Sequence, residues 1–134
     1  MPQPADDEEY GPGRLRVTVS RRGAVRVVSA GGELDHDTGE SLRAALAGPG
    51  DDGEQRTVVD LAELRFCDST GLNILLRARL AAEADGRQLE VAGPTSAVAR
   101  LFAVTGADTV LRIHPDLDSA LRTPGPAQDA GDAE

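Results

Sequence analysis

What most constrains this chain is a change of apolar period that repeats along its middle. In "LRVTVS" and again in "AVRVVS" apolar and polar residues alternate, the period-two signature of a half-buried strand. "RRG" between them supplies a turn with Gly23 where a positive φ is wanted, so the pair reads as a hairpin. The spacing then shifts. Leu42, Ala45 and Leu46 recur at helical intervals, and Asp37-Thr38-Gly39-Glu40 matches a capping box whose first and fourth side chains satisfy free N–H groups. A helix is predicted from about Thr38 to Ala47.

"PGDDG" breaks the chain before "RTVVDL", a short strand rich in branched residues. Leu72, Leu75, Leu76 and Leu80 form the stripe of a second helix that begins after Ser69 and stops at Gly86. "QLEVAG" is another strand. "TSAVARLFAVTG" repeats the helical pattern with Val98, Leu101, Phe102 and Val104, with Thr95 or Ser96 as N-cap and Gly106 as stop. "TVLRI" reads as a final strand and "DLDSALR" as a short last helix. The order is β-β-α-β-α-β-α-β-α. Strands and helices that alternate in this way imply right-handed crossovers, hence an α/β domain with a mixed, largely parallel sheet covered by helices.

A chain of 134 residues fits one domain, assigned to residues 14–122. Residues 1–13 and 123–134 are rich in Pro, Gly, Asp and Ala and hold almost nothing to bury, so both tails are expected to be disordered. The net charge is -9, but Asp6, Asp7, Glu8, Glu9, Asp129, Asp132 and Glu134 lie in those tails, and the body between is nearly neutral. Such a body lacks the basic stripe and stacking aromatics of a direct nucleic-acid binder; Tyr10, Phe66 and Phe102 are the only aromatics of the whole chain. One cysteine, Cys67, excludes an internal disulfide and a Cys-rich zinc site. The acidic N-terminus is unlike a signal peptide and no apolar run suits a membrane span, so a soluble, cytoplasmic protein is expected.

The junction "FCDSTGL" places two hydroxyls, Ser69 and Thr70, where an apolar strand turns into a helix. Asp68 and Ser69 are both favoured N-caps, so one reading is that Asp68 caps and Ser69 is incidental. The functional reading rests on Gly71, bare where the first turn meets whatever approaches it, and on the position of the hydroxyls at the C-terminal edge of a strand, where α/β sheets gather their sites. Physics alone leaves a nucleophile, a ligand contact and a modification acceptor open. A nucleophilic serine needs a base and commonly a G-x-S-x-G elbow, but Cys67 stands at the first glycine position. His36 and His114 each read as exposed polar residues. Asp35, His36 and Asp37 are poorly placed to converge on one ion, and Cys67 reads as a small buried hydrophobe. No catalytic constellation, metal site or cofactor is expected.

"GELDHDT" at residues 32–38, "FCDSTGLNILL" at 66–76 and "AVARLFAVTGADTVLRI" at 97–113 closely resemble the anti-sigma factor antagonists, or anti-anti-sigma factors, of the STAS domain family. The likeness spans approximately residues 15–121. It implies an α/β fold with a helix-covered sheet and a partner-switching function in transcription. The domain would bind an anti-sigma factor that is also an ATP-dependent serine kinase, freeing a sigma factor of, for example, a stress response. It implies that the kinase phosphorylates the serine of the Asp-Ser-[Ser/Thr]-Gly turn, which falls on Ser69 with Thr70 as runner-up, and that a PPM-type serine phosphatase reverses this. Glu33 and Asp35 in "GELD", with Asp68, Ser69, Thr70 and Gly71, carry over as partner contacts. The alternative on the same fold is a STAS regulatory subunit of a transporter or multi-protein signalling complex. A phosphate adds about -1.5 to -2 charges, and a helix N-terminus tolerates such an anion, so the change should be felt at the surface without refolding.

Overall fold

The computed structural model describes residues 8–10, 14–47 and 55–123, the first three as backbone alone. Strands β1 (Glu8–Tyr10), β2 (Leu15–Arg22) and β3 (Val25–Leu34) are followed by α1 (Gly39–Ala47), β4 (Arg56–Asp60), β5 (Leu64–Cys67) and α2 (Ser69–Ala84). Then come β6 (Gln88–Ala92), α3 (Ser96–Thr105), a 3-10 turn at Ala107–Thr109, β7 (Ile113–His114) and α4 (Leu117–Arg122). One sheet runs β1-β2-β3-β4-β6-β7, with β5 beside β3. The hairpin strands pair antiparallel, and β3 onward pair parallel. Arg22 stands opposite Val25, which leaves Gly23 and Ala24 as a two-residue turn.

Adjacent residues of a strand point to opposite faces, and β4 shows what each face meets. Val59 joins Val17, Val28, Leu42, Leu75, Val91 and Phe102 under α1, α2 and α3, whereas Val58 packs with Ala92 and Ala120 under α4. A strand buried on both sides reads as an unbroken apolar run, which is what "TVV" is. The helix ends follow their local signals. Thr95 caps α3 through the Val98 N–H, and α2 closes with Gly86 N–H on Glu83 O at 3.0 Å and Arg87 N–H on Ala82 O at 2.8 Å.

Several expectations change. Glu8–Tyr10, assigned to a disordered tail, pair with β2 from Glu8↔Val19 to Tyr10↔Val17; the open edge of β2 supplies backbone partners that composition does not reveal. The remaining tail residues, and "PGDDG", lie outside the described residues. "RTVVDL" stops at Asp60, whose Oδ1 accepts from Ala62 N–H at 3.1 Å, and the turn starts a separate strand, β5. "TVLRI" is strand only at Ile113–His114, because a 3-10 turn after Gly106 folds Leu111 into the core. Leu80 and Val104 leave the buried stripes, 59% and 78% exposed. Eight residues past Leu72 a helix has turned about 80° away from its starting face.

β3 is long enough to serve two neighbours. Its first half pairs with β4, its last residues pair with β5, and the register shifts between Gly32 and Glu33. Gly32 takes φ 102°, and a Cβ there would lie 2.0 Å from the carbonyl oxygen of Arg14. Only glycine fits this step, and the step aims the chain after β3 at the end of β5.

Candidate functional site

Because β3 and β5 run parallel, their C-terminal ends open on the same edge of the sheet. Leu34 pairs with Cys67, and Asp68 N–H donates to Leu34 O at 3.1 Å. The "GELD" segment and the "DSTG" turn, apart in sequence, therefore emerge side by side. Asp68 has the extended backbone of an N-cap, and its Oδ1 accepts from Gly71 N–H at 2.9 Å. Ser69 and Thr70 follow as the first two residues of α2, both exposed. Neither hydroxyl hydrogen-bonds another described residue. Thr70 thus does not hold the turn, and Ser69 is not paired with a base.

Gly71 is buried. A Cβ there would lie 2.5 Å from Leu34 Cγ and 3.1 Å from Cys67 Sγ, so its bare side faces the core instead of an incoming molecule. Its absence of a side chain lets the first turn of α2 settle against the residue that precedes Asp35. Cys67 is half-buried; burial, helped by the Asp68 carboxylate, pushes its thiol up to about 12. It stays protonated at neutral pH and behaves as packing.

The loop after β3 is tied by its own polar groups. Asp35 Oδ1 accepts from Asp37 N–H at 2.9 Å and Thr38 N–H at 3.0 Å, and the Thr38 hydroxyl donates to Glu33 O at 2.8 Å. Asp35, not Asp37, is therefore the residue that closes the entry to α1, and Glu40 bonds Arg43 instead of turning back in a capping box. A carboxylate two or three residues ahead reaches these N–H groups as an Asx turn. Arg14 Nη2 sits 3.1 Å from Asp35 and 3.9 Å from Asp37, its Nη1 is 3.3 Å from Glu33, and Arg65 adds a contact of 3.8 Å to Glu33. Desolvation opposes ionisation of Asp35, but the Asp37 and Thr38 N–H groups, the Thr38 hydroxyl and the Arg14 guanidinium outweigh it and hold the carboxyl below the usual carboxylate range.

The ligand-type atoms of Asp35, His36 and Asp37 do converge, lying within 4.8 Å of one another. The Asp35 carboxylate is already engaged by two N–H groups and Arg14, so the cluster has a structural explanation. His36 is exposed, as read, but His114 is not. It is buried with Nε2 2.8 Å from Glu90 Oε1, which also takes Arg56 at 3.0 and 2.6 Å. Arg56 in turn donates to Ala120 O at 2.7 Å, fastening α4. Sequence reasoning misses this group, because a lone charge in "QLEVAG" or "EQRTVV" looks like the solvent side of an alternating strand. It also misses Arg14, for which no local signal exists, and the Thr38 hydroxyl's bond to Glu33 O, although Thr38 lies in the cap signal.

Comparison with known proteins places the fold in a family. Residues 17–113 match the family model described as Mlab, STAS domain. An anti-sigma-B factor antagonist of Staphylococcus aureus (strain NCTC 8325 / PS 47) is 30% identical over 100 residues, 75% of this chain and 93% of that protein. The crystal structure of an anti-sigma factor antagonist from Mycobacterium paratuberculosis superposes with a TM-score of 0.69 at 30% identity, covering 84% of this chain and 96% of the other. The Bacillus cell fate determinant SpoIIAA, in its phosphorylated form, shares the fold with a TM-score of 0.57 at 18% identity, over 88% and 99% of the two chains. The chain belongs to the STAS domain family. Within that family its similarity is to the anti-sigma factor antagonists.

Proposed function

We propose that this chain is an anti-sigma factor antagonist that binds an anti-sigma factor serine kinase, thereby releasing a sigma factor, and that phosphorylation of Ser69 switches the binding off. The observation that carries this reading is the Ser69 hydroxyl: exposed, unbonded, first in α2, and beside the loop of Glu33 and Asp35. The relatives named as anti-sigma factor antagonists support the class of partner, and SpoIIAA, of the same fold, is known in a phosphorylated form. A PPM-type phosphatase would restore the active form in the cytoplasm, without direct contact to nucleic acid.

The physics of the turn suits such a switch. Ser69 bonds nothing that a phosphoryl group would break, and the unpaired N–H groups and dipole of a helix N-terminus accommodate an anion. Asp68 precedes it and Asp35 leaves the neighbouring strand, so the added charge joins two carboxylates, and the Arg14 that faces Asp35 is already shared with Glu33 and Asp37. A partner closing over the turn would desolvate an unpaired phosphate. A cost of a few kcal/mol corresponds to roughly two to three decades of affinity. Incubation with the cognate kinase and ATP, followed by mass spectrometry, should show one phosphate on Ser69 that Ser69→Ala abolishes. Phosphate on Thr70 or elsewhere would refute the assignment.

A further inference from the structure

We propose that Arg14 is the positioning residue of the partner-facing loop, its guanidinium holding Glu33, Asp35 and Asp37 in one defined arrangement. The inference rests on the reading of that loop as a partner contact. Three carboxylates within a few residues repel one another, and the Asx turn that fixes Asp35 does not hold the Glu33 and Asp37 carboxylates. Arg14 reaches all three, at 3.3, 3.1 and 3.9 Å. Its planar fork of donors can serve several carboxylates at once in a way that a point charge cannot.

The arrangement separates the role of the side chain from that of the backbone. Arg14 O accepts from Glu33 N–H at 3.0 Å and presses on Gly32, so the main chain of residue 14 braces the strand whatever its side chain. The Arg14 side chain is 52% exposed, and ion pairs at such exposure contribute little to global stability. What it does control is the pose and net charge of the surface beside Ser69. Glu33 is shared with Arg65 and Asp35 is pinned by two N–H groups, so removing Arg14 frees Glu33 and Asp37 more than Asp35. The affinity of the partner, not the fold, is where its loss is felt.

The test compares wild type, Arg14→Ala and Arg14→Lys by calorimetric titration with the purified anti-sigma factor kinase, by thermal melts, and by NMR titration of the Asp35 carboxyl carbon. Arg14→Ala should bind about tenfold more weakly, because the partner must then order the Glu33 and Asp37 side chains that Arg14 holds in the free protein, with Arg14→Lys recovering part of the loss. The Asp35 midpoint should move up in Arg14→Ala, and the melting temperature should stay within experimental scatter. Unchanged binding by Arg14→Ala, a lysine variant no better than alanine, or a large drop in melting temperature would each overturn the proposal. Should wild type itself not bind the kinase, the functional reading fails. NMR relaxation of the Glu33 and Asp37 side chains then still decides the clamp: greater mobility in Arg14→Ala upholds it and unchanged mobility refutes it.

Discussion

Ser69 and Gly71, two positions apart, answer to opposite demands: one must be free on the outside, the other must be bare on the inside. Replacing Ser69 by Ala or Asp removes no described contact, so unfolding free energy should change by no more than about 0.5 kcal/mol in urea titrations. Gly71→Ala pushes a methyl toward Leu34 Cγ and Cys67 Sγ and should destabilise by about 1–3 kcal/mol, the usual cost of overpacking. The motif Asp-Ser-Thr-Gly was legible in the sequence, but the reason for its glycine was not, because Leu34 arrives from another strand. Cys67 makes a pH-dependent case. Its folded value of about 12 lies above the usual thiol range, so its contribution to stability is complete at neutral pH. That contribution is lost as pH rises from about 8.5, where the unfolded thiol ionises. Iodoacetamide at pH 8 should label Cys67 slowly in the native protein and rapidly in urea; equal rates would contradict its packing role.

At the scale of elements, the helices were readable and two of the strands less so. Three of the four described helices carry their caps within their own sequence, Asp68 and Gly86 for α2, Thr95 and Gly106 for α3, Asp116 for α4, whereas the capping box expected for α1 does not form. β1 shows itself only as a backbone partner of β2, and β5, read in the sequence only as the apolar strand leading into Ser69, is separated from β4 by the turn at Asp60 and pairs with β3 past the register shift at Gly32. The last helix offers a test by pH. The Ser119 backbone and side chain bond Asp116, and with Arg122 nearby they hold its carboxyl below the usual range. A depressed carboxylate stabilises above the unfolded value of about 3.9 and loses that effect as pH falls through its lower folded value. Amide exchange at Ser119, corrected for its intrinsic pH dependence, should therefore show weaker protection at pH 3 than at pH 6. Constant protection would mean that the cap contributes nothing.

On the scale of the molecule, the two faces of the sheet divide the work. Under α1, α2 and α3 lies an apolar core that presents the turn and the loop on one edge; under α4 lies the buried group Arg56, Glu90 and His114. Removing one member of a buried ion pair leaves the other uncompensated, so Glu90→Ala should cost about 3–5 kcal/mol and loosen α4, read as a lower denaturation midpoint. His114 looked exposed in the sequence because its burial depends on a sheet neighbour and on a helix that comes after it. On the function proposed, a phosphate at Ser69 would lie at the edge of the sheet, away from the buried group under α4, and should leave that group intact. The most direct test is the dissociation constant for the anti-sigma factor kinase, measured with unmodified protein and with protein carrying phosphoserine at position 69, alongside the melting temperature of each. The account predicts affinity weaker by roughly two to three decades with melting temperatures nearly equal; equal affinities, or a phosphorylated domain that has come apart, would contradict it.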